Sequence, residues 1–191
     1  MYNPSSHPQV KYSLEAMSQG LFFYLQTDPL EKITISQICA QAGVTRRTFY
    51  RNCETKEDLI LYACDRLIDT LLETVDFTSE DARQLYLNFF RYWGQHKPFL
   101  RCVVNYNLYG MFVERFVQTC SQRMRFPLQE HAFCKKTDAD QYRFFSDSFL
   151  LGGLSRMLHA WAEDDFRLSE EDLTESILFL VPENAETVTK Q

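Results

Sequence analysis

Arg46 and Arg47 stand side by side directly after Thr45, in a stretch (residues 33 to 59) that reads ITISQICAQAGVTRRTFYRNCETKEDL. A guanidinium is planar, permanently charged and carries its N–H donors in a fixed fork. That fork matches O6 and N7, the two acceptors that guanine shows in the major groove of DNA. A good bidentate pair discriminates between bases by about 1–3 kcal/mol. The chemistry works only if the arginines ride on an element slim enough to reach a base edge.

The surrounding residues supply such an element. Thr34 and Gln37 form a T-x-x-Q capping box, with Ile33 and Ile38 as the apolar staple across it. The helix they start turns Ile35, Ile38 and Ala42 inward. It ends at Gly43, a residue free to take positive φ. Thr45 caps the next helix, a short one over about 46–52 with Phe49 as its main core residue. Thr55, with Asp58 three residues on, caps a third, which Leu59, Tyr62, Ala63 and Leu67 carry to about Val75. Upstream, Leu14, Met17, Leu21 and Leu25 share one face of a first helix from about Pro8 to Gln26. Pro29 breaks it, because proline disfavours helix at the residue before it. Two short helices joined by a glycine turn, with a helix before them, make a helix-turn-helix. Its second helix enters the major groove with its N-terminal residues on the bases, so Arg46 and Arg47 are the first side chains past the cap.

Whole-chain charge points the other way. The 191 residues carry a net charge of -6. Residues 1 to 66, however, hold seven Lys/Arg against seven Asp/Glu, and the entire excess of acid lies beyond them. Arg46, Arg47, Arg51 and Lys56 cluster in the neutral head, and the body is acidic.

At this level residues 33 to 59 resemble the tetracycline-repressor (TetR/AcrR) family of transcription regulators, through the run from Ile33 to Arg51 and the later Lys56-Glu57-Asp58-Leu59. The resemblance implies an all-α chain of about nine helices. Residues 8–55 would be the DNA-binding helix-turn-helix domain, 56–181 a helical effector-binding and dimerisation domain, and 182–191 a tail. It implies that Thr34, Ser36 and Gln37 lie near phosphate at the groove edge, and that Thr45, Arg46, Arg47 and Thr48 open the recognition helix. Tyr50 would place its hydroxyl on a phosphate. Lys56 would meet the backbone at the start of the fourth helix. Two features depart from the family pattern. Asn52-Cys53 stands where His-Phe is frequent, so the turn into the fourth helix is expected to pack less tightly. The N-terminus offers only Lys11 as a basic arm, so phosphate contacts are expected to be few.

Beyond residue 66 the helical period continues. Ala82, Leu85, Phe89 and Trp93 mark a helix that the His96-Lys97-Pro98 run ends. Residues 99 to 125 read as one broken helix or two consecutive ones, with Gly110 as the joint. A long helix follows over about 139–163, and Ser169-x-x-Asp172 opens the last, with Pro182 closing it. Within the long helix, Gly152 and Gly153 each cost about 1 kcal/mol relative to Ala, and close approach of another helix is the natural return. The resemblance implies that the last two helices pair with their copies as a four-helix dimer interface, through Phe149, Gly152, Gly153, Met157, Trp161, Leu173, Ile177 and Leu180. A two-fold dimer sets two recognition helices on an inverted repeat. The aromatic residues Phe89, Trp93, Tyr106, Tyr109, Phe112 and Phe145 are either a filled core or, as the resemblance implies, the walls of a pocket for a small-molecule effector.

Other classes of function find little support. No phosphate-cradling, dinucleotide-binding, zinc-protease or nucleophile-elbow motif occurs, so no catalytic residue, no metal and no cofactor is assigned. Six cysteines scattered at 39, 53, 64, 102, 120 and 134 read as buried thiols, and His131-x-x-Cys134 lacks the second pair a zinc site needs. No apolar run approaches the roughly 18 residues of a membrane span, and no secretion signal is read at the N-terminus, so a cytoplasmic protein is expected. The sequence thus describes a DNA-binding regulator, a repressor if its operator overlaps a promoter, acting as a homodimer on palindromic double-stranded DNA. The alternative is a regulator on the same scaffold that works mainly through a protein partner.

Overall fold

A computed structural model describes residues 8–77, 79, 81–123 and 139–180, with the side chains of 139–144 and 180 left aside. The capping signals near the N-terminus are realised one after another. Helix α1 (Pro8–Tyr24) buries Leu14, Met17 and Leu21. Gly20 lets it close on the next helix, since a Cβ there would stand 3.2 Å from the Ile38 carbonyl oxygen. A 3₁₀ turn (Leu30–Lys32) follows Pro29. Helix α2 (Ile35–Gln41) opens with the complete capping box. The Gln37 amide donates to Thr34 Oγ1 at 3.2 Å, and the Thr34 amide donates back to Gln37 Oε1 at 2.8 Å. Gly43 takes φ 65°, the left-handed turn that glycine adopts without a Cβ clash. Helix α3 (Arg46–Asn52) starts at Thr45, whose Oγ1 accepts from the Thr48 amide at 3.1 Å.

Helix α4 (Glu57–Thr74) begins differently from the expectation. Thr55 does not cap it. Instead Asp58, inside the first turn, accepts at one carboxylate oxygen from the amides of Glu54 (2.8 Å) and Thr55 (3.2 Å). A carboxylate is the stronger acceptor, because hydrogen bonds to charged groups exceed neutral ones. Cys53 is buried rather than loosely packed, and its amide donates to the Phe49 carbonyl at 2.8 Å.

The body comprises α5 (Ala82–Gly94), α6 (Lys97–Asn105), α7 (Tyr109–Arg123), α8 (Ala139–Glu163) and α9 (Glu170–Leu180). The 96–98 run both ends α5 and starts α6, with Pro98 in the first turn, where a missing N–H costs nothing. The break within 99–125 falls at 106–108, with Asn107 at φ 53°, and Gly110 sits inside α7 instead of at the joint. Ser169 and Asp172 cap α9 reciprocally, each amide donating to the other's side chain. Helix α8 packs on α6 and α7, α9 packs on α5, and α4 touches both α1 and α7, so it is the beam between head and body.

Among the described residues there are nine α-helices and no strand, as expected. None is long and apolar enough to cross a membrane. The five described cysteines are buried and unbridged. Burial pushes the Cys53, Cys102 and Cys120 thiols up to about 12, so they remain protonated and unreactive. His131, Cys134, Val181 and Pro182 lie outside the described residues.

Candidate nucleic-acid interface

The head presents one polar face, and the caps that build it also place its side chains. Because Thr45 spends its hydroxyl on the Thr48 amide, α3 starts at Arg46 and its first turn projects into solvent. Thr34, Ser36, Gln37, Thr45, Arg46, Arg47 and Tyr50 are all exposed, and Thr48 is half-buried. Beneath them Phe49 and Ile38 are fully buried, so the face stands on a rigid floor. Tyr50 is 53% exposed and braced edge-on by Phe49, with ring centroids 5.4 Å apart. One turn earlier, Arg46 lies over the Tyr50 ring at 5.9 Å and donates to its hydroxyl at 3.5 Å. The contact pre-orders the guanidinium without neutralising it.

What sets these arginines apart is the fate of the other arginines among the described residues, of which Arg66 lies 3.8 Å from Asp69. Arg83, Arg91, Arg101, Arg115, Arg123, Arg156 and Arg167 each pair with a carboxylate: Glu175, Glu171, Asp165, Asp65, Asp69, Glu163 and Asp164 respectively. No such pair involves Arg46, Arg47 or Arg51 among the described residues. The head keeps its positive charge available while the body cancels its own.

Lys56 is placed otherwise than the resemblance implies. Its ammonium reaches back under the head and donates to the carbonyls of Leu30 (2.5 Å) and Ile33 (2.7 Å). Two of its three donors are spent on the turn that leads into α2. The Leu30 amide is held in turn from the body: it donates to the Tyr106 hydroxyl at 2.8 Å, across 76 residues of sequence. One residue is therefore gripped on both sides, by Lys56 at its carbonyl and by Tyr106, at the end of α6, at its amide. No sequence signal announces this grip, since the run that contains Lys56 points it to DNA and Tyr106 belongs to no local motif.

The architecture has known counterparts. A TetR transcriptional regulator from Streptococcus agalactiae 2603V superposes with a TM-score of 0.59 at 22% identity, covering 91% of this chain and 95% of that one. The dihydroxyacetone kinase operon activator DhaS gives a TM-score of 0.59 at 16% identity, over 88% and 93% of the two chains. The chain has the fold of a TetR transcriptional regulator. No family model and no curated protein sequence matches it.

On this TetR fold, the residues expected at a dimer interface separate into two groups. Trp161, Leu173 and Ile177 are buried within the single chain. Trp161 packs edge-on against Phe90 and Phe166 and donates its indole N–H to the Leu168 carbonyl at 2.9 Å. Leu173 and Ile177 lie on α9, which packs on α5. They are core because α9 must cover α5 before any partner arrives. Phe149 (82% exposed) and Gly153 face solvent, Gly152 and Met157 are half-buried, and the Leu180 side chain lies outside the description. Phe145 and Phe179 are exposed too, and Phe179 was legible only as one more apolar residue of α9. A Cβ added at Gly152 or Gly153 would meet nothing within 4 Å, so nothing among the described residues calls for the two glycines.

The expected effector walls separate likewise. Phe89, Trp93 and Phe112 pack with Phe99 and Phe116 in an aromatic core, with ring centroids 5.5 to 6.3 Å apart. Large rings at helical spacing fill volume more readily than they line it. The Trp93 indole N–H is buried there without an acceptor. Tyr109 lies tilted against His159, with ring centroids 4.4 Å apart, and Phe145 is 63% exposed. Tyr106 lines an open space. That space is a cleft of about 420 Å³ between the end of α1 and α6.

Proposed function

We propose that this chain is a DNA-binding transcriptional regulator that recognises an inverted repeat as a homodimer. The reading rests on one observation above all: among the described residues, adjacent arginines on the exposed first turn of α3 have no acid partner while the arginines of the body are paired. Arg46 and Arg47 read base edges, and Thr34, Ser36, Gln37, Thr45, Thr48 and Tyr50 fix the register on phosphates. Dimerisation uses the solvent-facing side of α8 and α9, through Phe149, Gly152, Gly153, Met157 and Phe179, and sets the distance between two heads. A small-molecule effector shifts the dimer between two head spacings through α4, provided it binds one arrangement more tightly.

One of the two similar structures is described as an operon activator, so the fold is compatible with either sign of control. Repression follows here if the operator overlaps a promoter. The test is selection of binding sequences from a random DNA pool with the purified protein, followed by binding at several salt concentrations. An enriched inverted repeat and a steep loss of affinity with salt are expected. A pool that stays unenriched at low salt would sink this reading and move the function to a protein partner on the same scaffold.

A further inference from the structure

The cleft at the head–body junction is lined by Phe22, Leu25 and Gln26 from the end of α1, Pro98, Arg101, Cys102 and Asn105 from α6, and Tyr106 just beyond it. Its volume of about 420 Å³ falls in the range of small-molecule sites, about 300–1,000 Å³. The lining divides by chemistry. Phe22, Leu25, Pro98 and Cys102 give apolar walls, and Gln26 and Asn105 give amide donors. Arg101 is the lining's one ionic group, and no acid lines the cleft. One N–H of Arg101 is engaged by Asp165 at 2.6 Å and its guanidinium carbon lies 5.1 Å from the centre of the Phe166 ring, which holds the group in place and leaves its other donors without a partner among the described residues. Tyr106 accepts from the Leu30 amide, and its own O–H proton has no acceptor among the described residues.

An apolar slot with fixed cationic and amide donors suits one kind of occupant. We propose that this cleft binds a small carboxylate carrying a single apolar ring. The ring lies between Phe22, Leu25 and Pro98, and the carboxylate lies on Arg101 with Asn105 or Tyr106 as a second donor. Occupancy is felt in the head through the Tyr106–Leu30 bond, because Leu30 opens the turn into α2 and its carbonyl is held by Lys56. The binding claim stands apart from the proposed regulator role; only the consequence for DNA rests on it, since a ligand that alters head placement must itself be altered in affinity by operator.

The experiment uses amide-resolved NMR of the full chain titrated with benzoate and with phenylacetate, and with phenylacetamide as the uncharged control. Saturable shifts at Gln26, Arg101, Asn105 and Leu30 are expected for the acids, with weaker binding of the amide. Arg101→Gln, an exposed substitution, should weaken the acids by about tenfold or more, the loss of one charged hydrogen bond. Asn105→Trp, also on the surface, should block the slot, and circular dichroism checks that both variants stay folded. Tyr106→Phe should abolish the Leu30 shift. Shifts that map elsewhere, or equal affinity in wild type, Arg101→Gln and Asn105→Trp, would overturn the site. A Leu30 shift that survives in Tyr106→Phe would overturn its connection to the head. None of these readouts uses DNA, so failure here and failure of the regulator reading are told apart by the sequence-selection experiment.

Discussion

Head and body are built from the same material, capped helices with one apolar stripe, yet they treat charge in opposite ways. In the body, Arg83 and Arg91 tie α5 to α9 through Glu175 and Glu171, and Arg101 ties α6 to the α8–α9 turn through Asp165. Exposed pairs of this kind contribute only about 0–1 kcal/mol each. Their larger effect is to leave little unpaired cationic charge on the body. In the head, Arg46, Arg47 and Arg51 have no carboxylate partner among the described residues. The net charge of -6 therefore says little about what the molecule attracts. Which charges remain uncancelled, and where, says more.

The comparison can be broken most forcefully in the floor beneath the head. Phe49 is fully buried under α3, whereas Phe149 on α8 is 82% exposed. Phe49→Ala should cost about 3–5 kcal/mol of unfolding free energy. Phe149→Ala should leave the dilute monomer's stability nearly unchanged and lower self-association in sedimentation. Equal thermal shifts for the two variants would contradict the burial pattern.

Lys56 comes next. Lys56→Met removes two hydrogen bonds from a cation to the Leu30 and Ile33 carbonyls, so denaturant unfolding should show a loss of about 2–4 kcal/mol. Unchanged stability combined with weaker binding to every DNA sequence would return Lys56 to a phosphate contact. Arg46→Ala should do the reverse: stability within about 0.5 kcal/mol of wild type, but discrimination at one base position reduced by about 1–3 kcal/mol in a binding titration.

The smallest effect is a slope. Burial holds the His96 imidazole below its ordinary 6.5. The unfolded chain then binds a proton more readily than the folded one, so His96 favours unfolding as pH drops below about 6.5. The penalty is complete once pH is under the folded value. His96→Gln should flatten that part of the stability–pH curve, as read from denaturation midpoints between pH 5 and 7.5.

Much of the head was legible. Thr34 with Gln37, Gly43 and Thr45 act over three or four residues, so their spacing alone fixes where helices start and stop, and the structure places them as read. At the start of α4 only the Asp58 half of the expected cap formed, its carboxylate accepting from the Glu54 and Thr55 amides, and Lys56 rather than Thr55 took the cap position. Gly110 was misjudged because an asparagine can take left-handed φ as well, and Asn107 did. In the body the period identified which residues are apolar but not what they would face. Trp161, Leu173 and Ile177 went to α5 and its neighbours, Phe149 and Gly153 to solvent, and Phe89, Trp93 and Phe112 to one another.

The sequence by itself determined the all-helical class, the order of the helices, and the cap that sets two arginines at the front of a short one. Those features follow from hydrogen bonds and steric limits between near neighbours in the chain. Only the tertiary structure decided that Lys56 turns inward, that Tyr106 grips the Leu30 peptide, and that the aromatic residues close a core while a cleft opens beside it. Each of those depends on where the end of a side chain meets a group dozens of residues away, and no local spacing encodes that distance.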